Sequence, residues 1–298
     1  MEILVSGATG AIGQELVKQL LLNKHNITAI SRSNKKVIDL YGSKVKAINW
    51  AELHKIKVEP KLIIHLAGHN IGNCVWSKKN KARAFSSRVE TANLLSKWCL
   101  KQNIKPRIIA ASGVSYYGFF NDCSVICNET TPAVIQGSKF TQELAFACED
   151  SFSDFNTVNL RLAPVLQVKY GILPKLIFST KLGCASVIGR GTQPMSWIAI
   201  QDVIDIIMLI INEPKLSGPI NLVSPEVISQ EMFTKTLANK LARPVLFKIP
   251  AKLLELTAGE FAKQFMTHGQ AVEPARLKKL GYEFKFQSLR QWLATNLG

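Results

Sequence analysis

The chain has 298 residues, 47% of them hydrophobic and 19% charged, with 37 Lys and Arg against 21 Asp and Glu for a net charge of +16. This composition excludes a disordered or collagen-like chain and is enough for a sizeable core, with length pointing to about two domains. The positive surplus favours anionic partners such as phosphates or nucleotides, although a solvated basic surface is the plainer reading of most of it.

The first two-thirds alternates short runs of Val, Ile and Leu with longer helical patterns. Strands are predicted at 3–6, 27–31, 45–49, 62–66, 107–112 and 157–162, and helices at 14–22, 77–100 and 138–150. Runs this uniformly apolar suit strands buried on both faces, and strand–helix–strand repetition predicts an α/β fold with a Rossmann-type, doubly wound parallel sheet. Further on, 201–212, 230–241, 250–263, 274–280 and 287–295 read as helices, and 219–223 as a strand that could return to the first sheet. The expected organisation is a domain built on this sheet over 1–165, with segments near 198–223 returning to it, and a smaller, mainly helical domain over 166–298.

Cys74, Cys99, Cys123, Cys127, Cys148 and Cys184 are irregularly spaced, which gives no metal pattern and suits a reduced, cytoplasmic protein. Ile3-Leu4-Val5 runs straight into a glycine loop, unlike a signal peptide. The apolar stretch 203–211 is interrupted by Asp205 and too short to span a membrane, so no membrane partner is expected. The most basic window, Lys78-Lys79-Asn80-Lys81-Ala82-Arg83, reads as a solvated helix face. Without interleaved aromatics or an RNA-recognition motif, it gives no nucleic-acid partner.

The first chemical motif is Ser6-Gly7-Ala8-Thr9-Gly10-Ala11-Ile12-Gly13, between the first strand and the first helix. Gly7 permits a tight turn, Gly10 lets backbone approach a pyrophosphate, and Gly13 lets helix and strand pack closely. The helix N-terminus at Thr9, Ala11 and Ile12 then faces the anion. A ligand-free strand-to-helix turn is the alternative. The second strand ends Ser31-Arg32-Ser33, with no carboxylate until Asp39. An acid there would hold the adenosine ribose of NAD, whereas Arg32 can pair with a 2′-phosphate, flanked by two hydroxyls. The expected cofactor is therefore NADP(H). Arg32 as a plain surface arginine is the alternative.

The glycine turn, Leu66-Ala67-Gly68 after the fourth strand, and Ser112 followed by Tyr116-Tyr117-Gly118 resemble an extended short-chain dehydrogenase/reductase. More narrowly, the chain resembles the epimerase-family group of that superfamily. The resemblance is carried by His65-Leu66-Ala67-Gly68 with Ile71, Trp76, Ser87-Arg88, Leu160-Arg161, Ser196-Trp197-Ile198 with Asp202, and Gly218-Pro219-Ile220-Asn221. Ser224-Pro225, Arg243-Pro244, Gly259-Glu260 and Gly281-Tyr282 extend it into a C-terminal part that the group treats as a domain of unknown function. The resemblance implies an NADP(H)-type site and a fold like that of sugar-nucleotide epimerases, with no assigned substrate.

It also implies a catalytic serine, a tyrosine and a lysine four residues after that tyrosine, the tyrosine acting as general acid/base. Ser112 matches the serine, and Gly137-Ser138-Lys139 matches the lysine end, with Lys139 holding the nicotinamide ribose. Ile135 stands where the tyrosine belongs and cannot transfer a proton. If the protein is an enzyme, Tyr117 or Tyr116 must substitute. Both could instead pack the loop, as Ser112 could simply end a strand and Lys139 be a solvated helix lysine. The resemblance places the backbone of Leu66, Ala67, Gly68, Ala163 and Val165 against the cofactor. His69, Asn70, Tyr116 and Arg190 are candidates for a small-molecule substrate, with an anionic one favoured by charge. Arg161 reads better as a structural ion-pair partner, and Trp197 as core. Extended members of the superfamily often dimerise through the helices corresponding to 77–100 and 138–150, so a monomer or homodimer is expected. The missing tyrosine leaves two readings open: an oxidoreductase or nucleotide-sugar epimerase-like enzyme, and a non-catalytic NADPH-binding regulator or sensor.

Overall fold

The computed structural model describes residues 1–56, 59–73, 76–135, 137 and 139–297. Cys74 and Ser138 therefore lie outside the described residues. Thirteen strands are described: β1 (Glu2–Ser6), β2 (Asn26–Ser31), β3 (Lys46–Asn49), β4 (Leu62–His65), β5 (Arg107–Gly113), β6 (Ile126–Cys127), β7 (Thr157–Leu162), β8 (Val165–Leu166), β9 (Ser186–Ile188), β10 (Ile198–Ala199), β11 (Gly218–Leu222), β12 (Phe247–Ile249) and β13 (Ala271–Val272). The described helices are α1 (Ala11–Leu22), α2 (Asn34–Tyr41), α3 (Lys78–Phe85), α4 (Thr91–Lys101), α5 (Phe140–Asp150), α6 (Leu173–Lys181), α7 (Ile200–Asn212), α8 (Gln230–Lys240), α9 (Ala251–Phe265), α10 (Ala275–Lys279) and α11 (Leu289–Asn296).

Seven strands form one sheet in the order β11-β7-β5-β4-β1-β2-β3, and every pairing in it is parallel. This is the predicted Rossmann-type sheet, and β11 does return to it. Alternate residues along each strand face opposite layers. Ile3 and Val5 pack with Leu16, Val17 and Leu20 of α1 and with Val203, Ile206 and Ile210 of α7. Leu4, Ile63 and Ile108 pack with Leu95, Trp98 and Cys99 of α4 on the other side. Both faces are covered, which is why the strand sequences are apolar throughout. The order reverses beside β1, which pairs with β2 on one side and β4 on the other. Ligands of open α/β sheets bind at the carboxyl ends of the strands at such a reversal.

Two expectations need correction. The stretch 77–100 is not one α-helix: α3 and α4 are joined by a π-helical turn, Ser86–Glu90. A π turn adds one residue to the ladder and re-aims the side chains it carries, here Ser87 and Arg88. The helix expected from 138 begins at Phe140, with Lys139 as its extended N-cap residue. Helices α2 and α6 were not anticipated: α2 is short and buries only Val37, and α6, although Leu173, Leu176 and Ile177 give it an apolar face, lies between Gly171 and Gly183 with Pro174 in its first turn. A further apolar cluster joins Trp197, Leu166 and Leu173 to Phe233, Leu237, Leu289 and Trp292, so Trp197 is core as expected.

The crossing of β1, α1 and β4 allows almost no side-chain volume. A Cβ at Gly13 would run into the carbonyl oxygen of Gly7, and one at Gly7 would stand 2.5 Å from the Leu66 carbonyl. Backbone atoms cannot yield as a flexible side chain can. Gly13→Ala is therefore expected to lower the unfolding free energy by about 1–3 kcal/mol, the usual cost of overpacking. Urea denaturation measures this, and an unchanged midpoint would contradict the reading.

Candidate functional site

The glycine turn leaves β1 at Gly7, whose φ of +79° is open to glycine at little cost. Gly10 caps α1 in an extended conformation, and its N–H donates to Gly7 O at 3.0 Å. No side chain caps this helix and no acid stands in its first turn. The amides at Ala11 and Ile12 therefore keep the positive end of the helix free for an anion. The turn is held from outside: Tyr41 Oη donates to Ala8 O at 2.6 Å and Gln14 Nε2 to Thr9 O at 3.0 Å. Because Gly7 and Gly13 lack a Cβ, the cradle is shallow and lined by backbone, which fits the diphosphate of a dinucleotide.

Arg32 follows β2 directly and is exposed, with Ser31 and Ser33 beside it; Ser33 N–H donates to Ser31 Oγ at 3.3 Å. Among the described residues, no carboxylate pairs with Arg32. The neighbouring Glu52 is instead engaged by Asn34 and by the amide of Asn49.

On the other side of β1, Leu66 N–H continues the ladder by donating to Ser6 O at 3.0 Å. Beneath it lies a buried chain. His65 Nε2 is 3.1 Å from Arg88 O, which can only accept, so Nε2 carries the proton. Nδ1 then accepts from Ser6 Oγ at 2.7 Å. Sequence reading found neither this link nor the place of Arg88. The Arg88 guanidinium lies against Gly68, 2.8 Å from where a Cβ would stand, and Nη1 donates to His69 O at 2.9 Å and to Ala84 O at 3.3 Å. Ser87 Oγ accepts from His69 N–H at 2.8 Å. The π turn thus fixes the Gly68–Asn70 loop from below. Partial burial holds the part-exposed His69 imidazole below its usual pKa, helped by the nearby Arg83, Arg88 and Arg32.

Ser112 lies near the end of β5, and Lys139 immediately precedes α5. Ile135 is 73% exposed, so no proton-transfer group stands at the tyrosine position. The structure also moves the substitute acid out of reach. Tyr117 is fully buried, its hydroxyl donating to Asn221 Oδ1 at 2.7 Å and accepting from Arg161 Nη1 at 3.0 Å. Burial pushes its pKa up to about 12. Arg161 makes a two-pronged ion pair with Glu149 at 2.8 and 2.9 Å, and its guanidinium lies 3.4 Å from the centroid of the Tyr116 ring. Arg161 is thus the structural ion-pair partner foreseen. Tyr116 lines an open groove with Glu143, Phe146, Glu149, Asp150, Ser153 and Asn159, whose lining includes neither Ser112, Lys139 nor the glycine turn.

Ala163 donates its N–H to Leu222 O at 3.1 Å, and Val165 opens β8, so both lie at the carboxyl end of β7. Asn70 Oδ1 accepts from Gly72 N–H at 2.9 Å, which shapes its own loop. Arg190 occupies an exposed turn after β9, between two glycines of positive φ. Its neighbour Gly189 is bonded to Ile249 of β12, and no bond among the described residues joins Arg190 to the glycine turn. The described residues hold no group of side chains able to bind a metal, and no described helix is long and apolar enough to cross a membrane.

Helix α9 closes over the start of α5. Glu260 Oε1 accepts from Phe140 N–H at 3.3 Å, and Gln264 Oε1 from Thr141 N–H at 3.1 Å. Glu260 also pairs with Lys81, while Trp76 meets Phe140, Phe261 and Phe265 edge-on. Side chains from the C-terminal part thus do the capping that α5 lacks locally.

The profile of the NAD dependent epimerase/dehydratase family matches residues 3–223. The chain belongs to that family. A second profile, a domain of unknown function (DUF1731), matches residues 249–295, which include α9. An epimerase family protein of Mycobacterium leprae is 27% identical, over 98% of this chain and 94% of its own. One from Staphylococcus aureus is also 27% identical, over 98% and 97%. Among solved structures, the human epimerase family protein SDR39U1 with NADPH is 26% identical, covers 99% of both chains and superposes with a TM-score of 0.85. The UDP-glucose 4-epimerase of Thermotoga maritima shares the fold at 16% identity and a TM-score of 0.75, covering 100% of both chains.

His65 supplies a pH test of the buried link. Burial lowers its pKa to about 4, whereas an unfolded histidine titrates near 6.5. Above pH 6.5 both states are neutral and the link is intact. As pH falls from 6.5 through 4, the unfolded chain takes up the proton first, and about 3 kcal/mol of stability is lost. His65→Asn should remove most of that loss, read as the difference in urea stability between pH 7 and pH 4. An equal acid-side loss in both proteins would contradict a neutral, buried His65.

Proposed function

We propose that this protein binds NADP(H) and works as an oxidoreductase- or epimerase-like member of its family on a small anionic molecule. The observation that carries the reading is the cradle at the sheet's reversal point: a Cβ-free turn, an uncapped helix N-terminus, and Arg32 at the end of β2 where an NAD site would carry an acid. Arg32 makes paired, charge-assisted bonds to the 2′-phosphate, with Ser31 and Ser33 as flanking donors. Bound there, the cofactor supplies a hydride donor or acceptor. Lys139 holds the nicotinamide ribose, Ser112 offers a hydroxyl to the substrate oxygen, and the backbone of Leu66, Ala67, Gly68, Ala163 and Val165 bounds the cofactor. His69 and Asn70, on the loop after β4, are the proposed substrate contacts. The human relative bound to NADPH supports the cofactor assignment.

A second reading is a cofactor-binding regulator without turnover. It is favoured by Ile135 at the tyrosine position together with the enclosed hydroxyl of Tyr117. In that case the protein responds to the level of NADPH through the loops that the cofactor touches.

Calorimetric titration of both cofactors tests the first step. NADPH should bind more tightly than NADH, and Arg32→Ala should weaken NADPH by about 1.5–3 kcal/mol, the worth of hydrogen bonds to a charged group, with NADH little changed. Equal affinities in the wild type would contradict the assignment. A turnover panel of aldehydes, ketones and nucleotide sugars separates the two readings. A rate that falls in Ser112→Ala supports the enzyme, and tight NADPH binding with no turnover supports the regulator.

A further inference from the structure

Arg88 is the cation that neither the family's serine–tyrosine–lysine scheme nor the Arg32 assignment uses. It rides on the π turn, which aims it under the loop leaving β4. Its identified bonds run from Nη1 to two neutral carbonyls, His69 O and Ala84 O. No carboxylate forms an ion pair with it among the described residues, although Arg161, the other enclosed arginine of this region, has a two-pronged one. Burial lowers its pKa, as expected for a cation held without an opposite charge. The side chain nonetheless keeps part of its surface exposed. Leaving a half-buried guanidinium without an anion is costly, and structures do so where a ligand brings the charge. The guanidinium touches Gly68, two residues past the Leu66 carbonyl against which Gly7 is packed. It therefore stands on the same strand-end crossing as the glycine turn.

We propose that Arg88 is a second phosphate ligand of the site, reaching past Gly68 with Nε and Nη2 to the pyrophosphate bridge of the dinucleotide. Two ligands then share the anions of the cofactor. Arg32 reads the 2′-phosphate, and Arg88 neutralises the bridge opposite the helix amides of α1. Gly68 is required in this arrangement, because a side chain there would collide with the guanidinium. The inference rests on the proposed NADP(H) reading and assigns a residue within that site.

ADP-ribose carries the bridge without the 2′-phosphate, and adenosine 2′-monophosphate carries the reverse. Both are titrated into wild type, Arg88→Gln and Arg88→Lys. Arg88→Gln should weaken ADP-ribose by about tenfold or more, in the range for charge-assisted bonds, and leave adenosine 2′-monophosphate unchanged. Arg88→Lys keeps the charge but not the two-pronged fork, so it should recover part of that loss and bind ADP-ribose more tightly than Arg88→Gln. Wild-type affinity for ADP-ribose in Arg88→Gln would overturn the proposal. So would equal losses in both variants, since Arg88 would then act only by holding the His69 loop. If Arg88→Gln does not fold, the wild type is labelled at its arginines. The Arg88 Nε–H resonance should then move with ADP-ribose and not with adenosine 2′-monophosphate; an unmoved resonance overturns the proposal. Failure of the wild type to bind NADPH or ADP-ribose would sink the cofactor reading itself, a result distinct from a wild type that binds while Arg88→Gln binds equally well.

Discussion

Three pieces of backbone meet where β1 ends: the turn at Gly7, the first turn of α1 at Gly13, and the Leu66–Ala67 peptide after β4. They approach so closely that no side chain fits at Gly7 or Gly13. The rest of the site follows from this approach. It sets the direction of α1, so that the free amides of that helix point along the strand ends. It also brings the Gly68–Asn70 loop beside those amides, and it leaves a surface of backbone rather than side chain for an anion to lie on. Arg32 enters from the neighbouring strand, and Arg88 from the helix layer beneath.

The crossing is held by a polar chain as well as by contact. Ser6, His65 and the carbonyl of Arg88 form one buried hydrogen-bonded line from β1 through β4 to the π turn. A neutral imidazole suits this place, since one nitrogen accepts and the other donates. The same π turn carries Ser87 and Arg88, which fix His69 from two directions. The strand ends and this loop are thereby coupled to a helix whose sequence reads as an ordinary amphipathic stretch. The C-terminal part enters the same unit from the far side, where Glu260 and Gln264 cap α5 and the Trp76 cluster packs against Phe261 and Phe265.

The sheet was legible in the sequence because its strands are buried on both faces, which makes them short apolar runs between helices. Even β11, far along the chain, could be read this way. The glycine turn was legible because glycine spacing reports a backbone requirement directly. The surroundings of Tyr117 were not legible. Whether a loop tyrosine faces a cleft or the core depends on Asn221 and Arg161, which lie 104 and 44 residues away and reach it only through the fold. The π turn was hidden too, since one added residue barely changes a helical pattern. Ser87-Arg88 was visible as a family resemblance, but its role needed the Gly68 contact. The capping of α5 by α9 pairs residues about 120 apart, which no local pattern reveals.

The central claim is that the cradle takes a dinucleotide bearing a 2′-phosphate and holds that group as a dianion against Arg32. Phosphorus NMR of NADP⁺ bound to the wild-type protein follows that phosphate directly. A free phosphate monoester dianion takes up a proton to become the monoanion at about pH 6. In the complex, the 2′-phosphate resonance should keep its dianionic position at and below that pH, because a neighbouring guanidinium disfavours protonation. A bound 2′-phosphate that titrates like the free one would contradict the account.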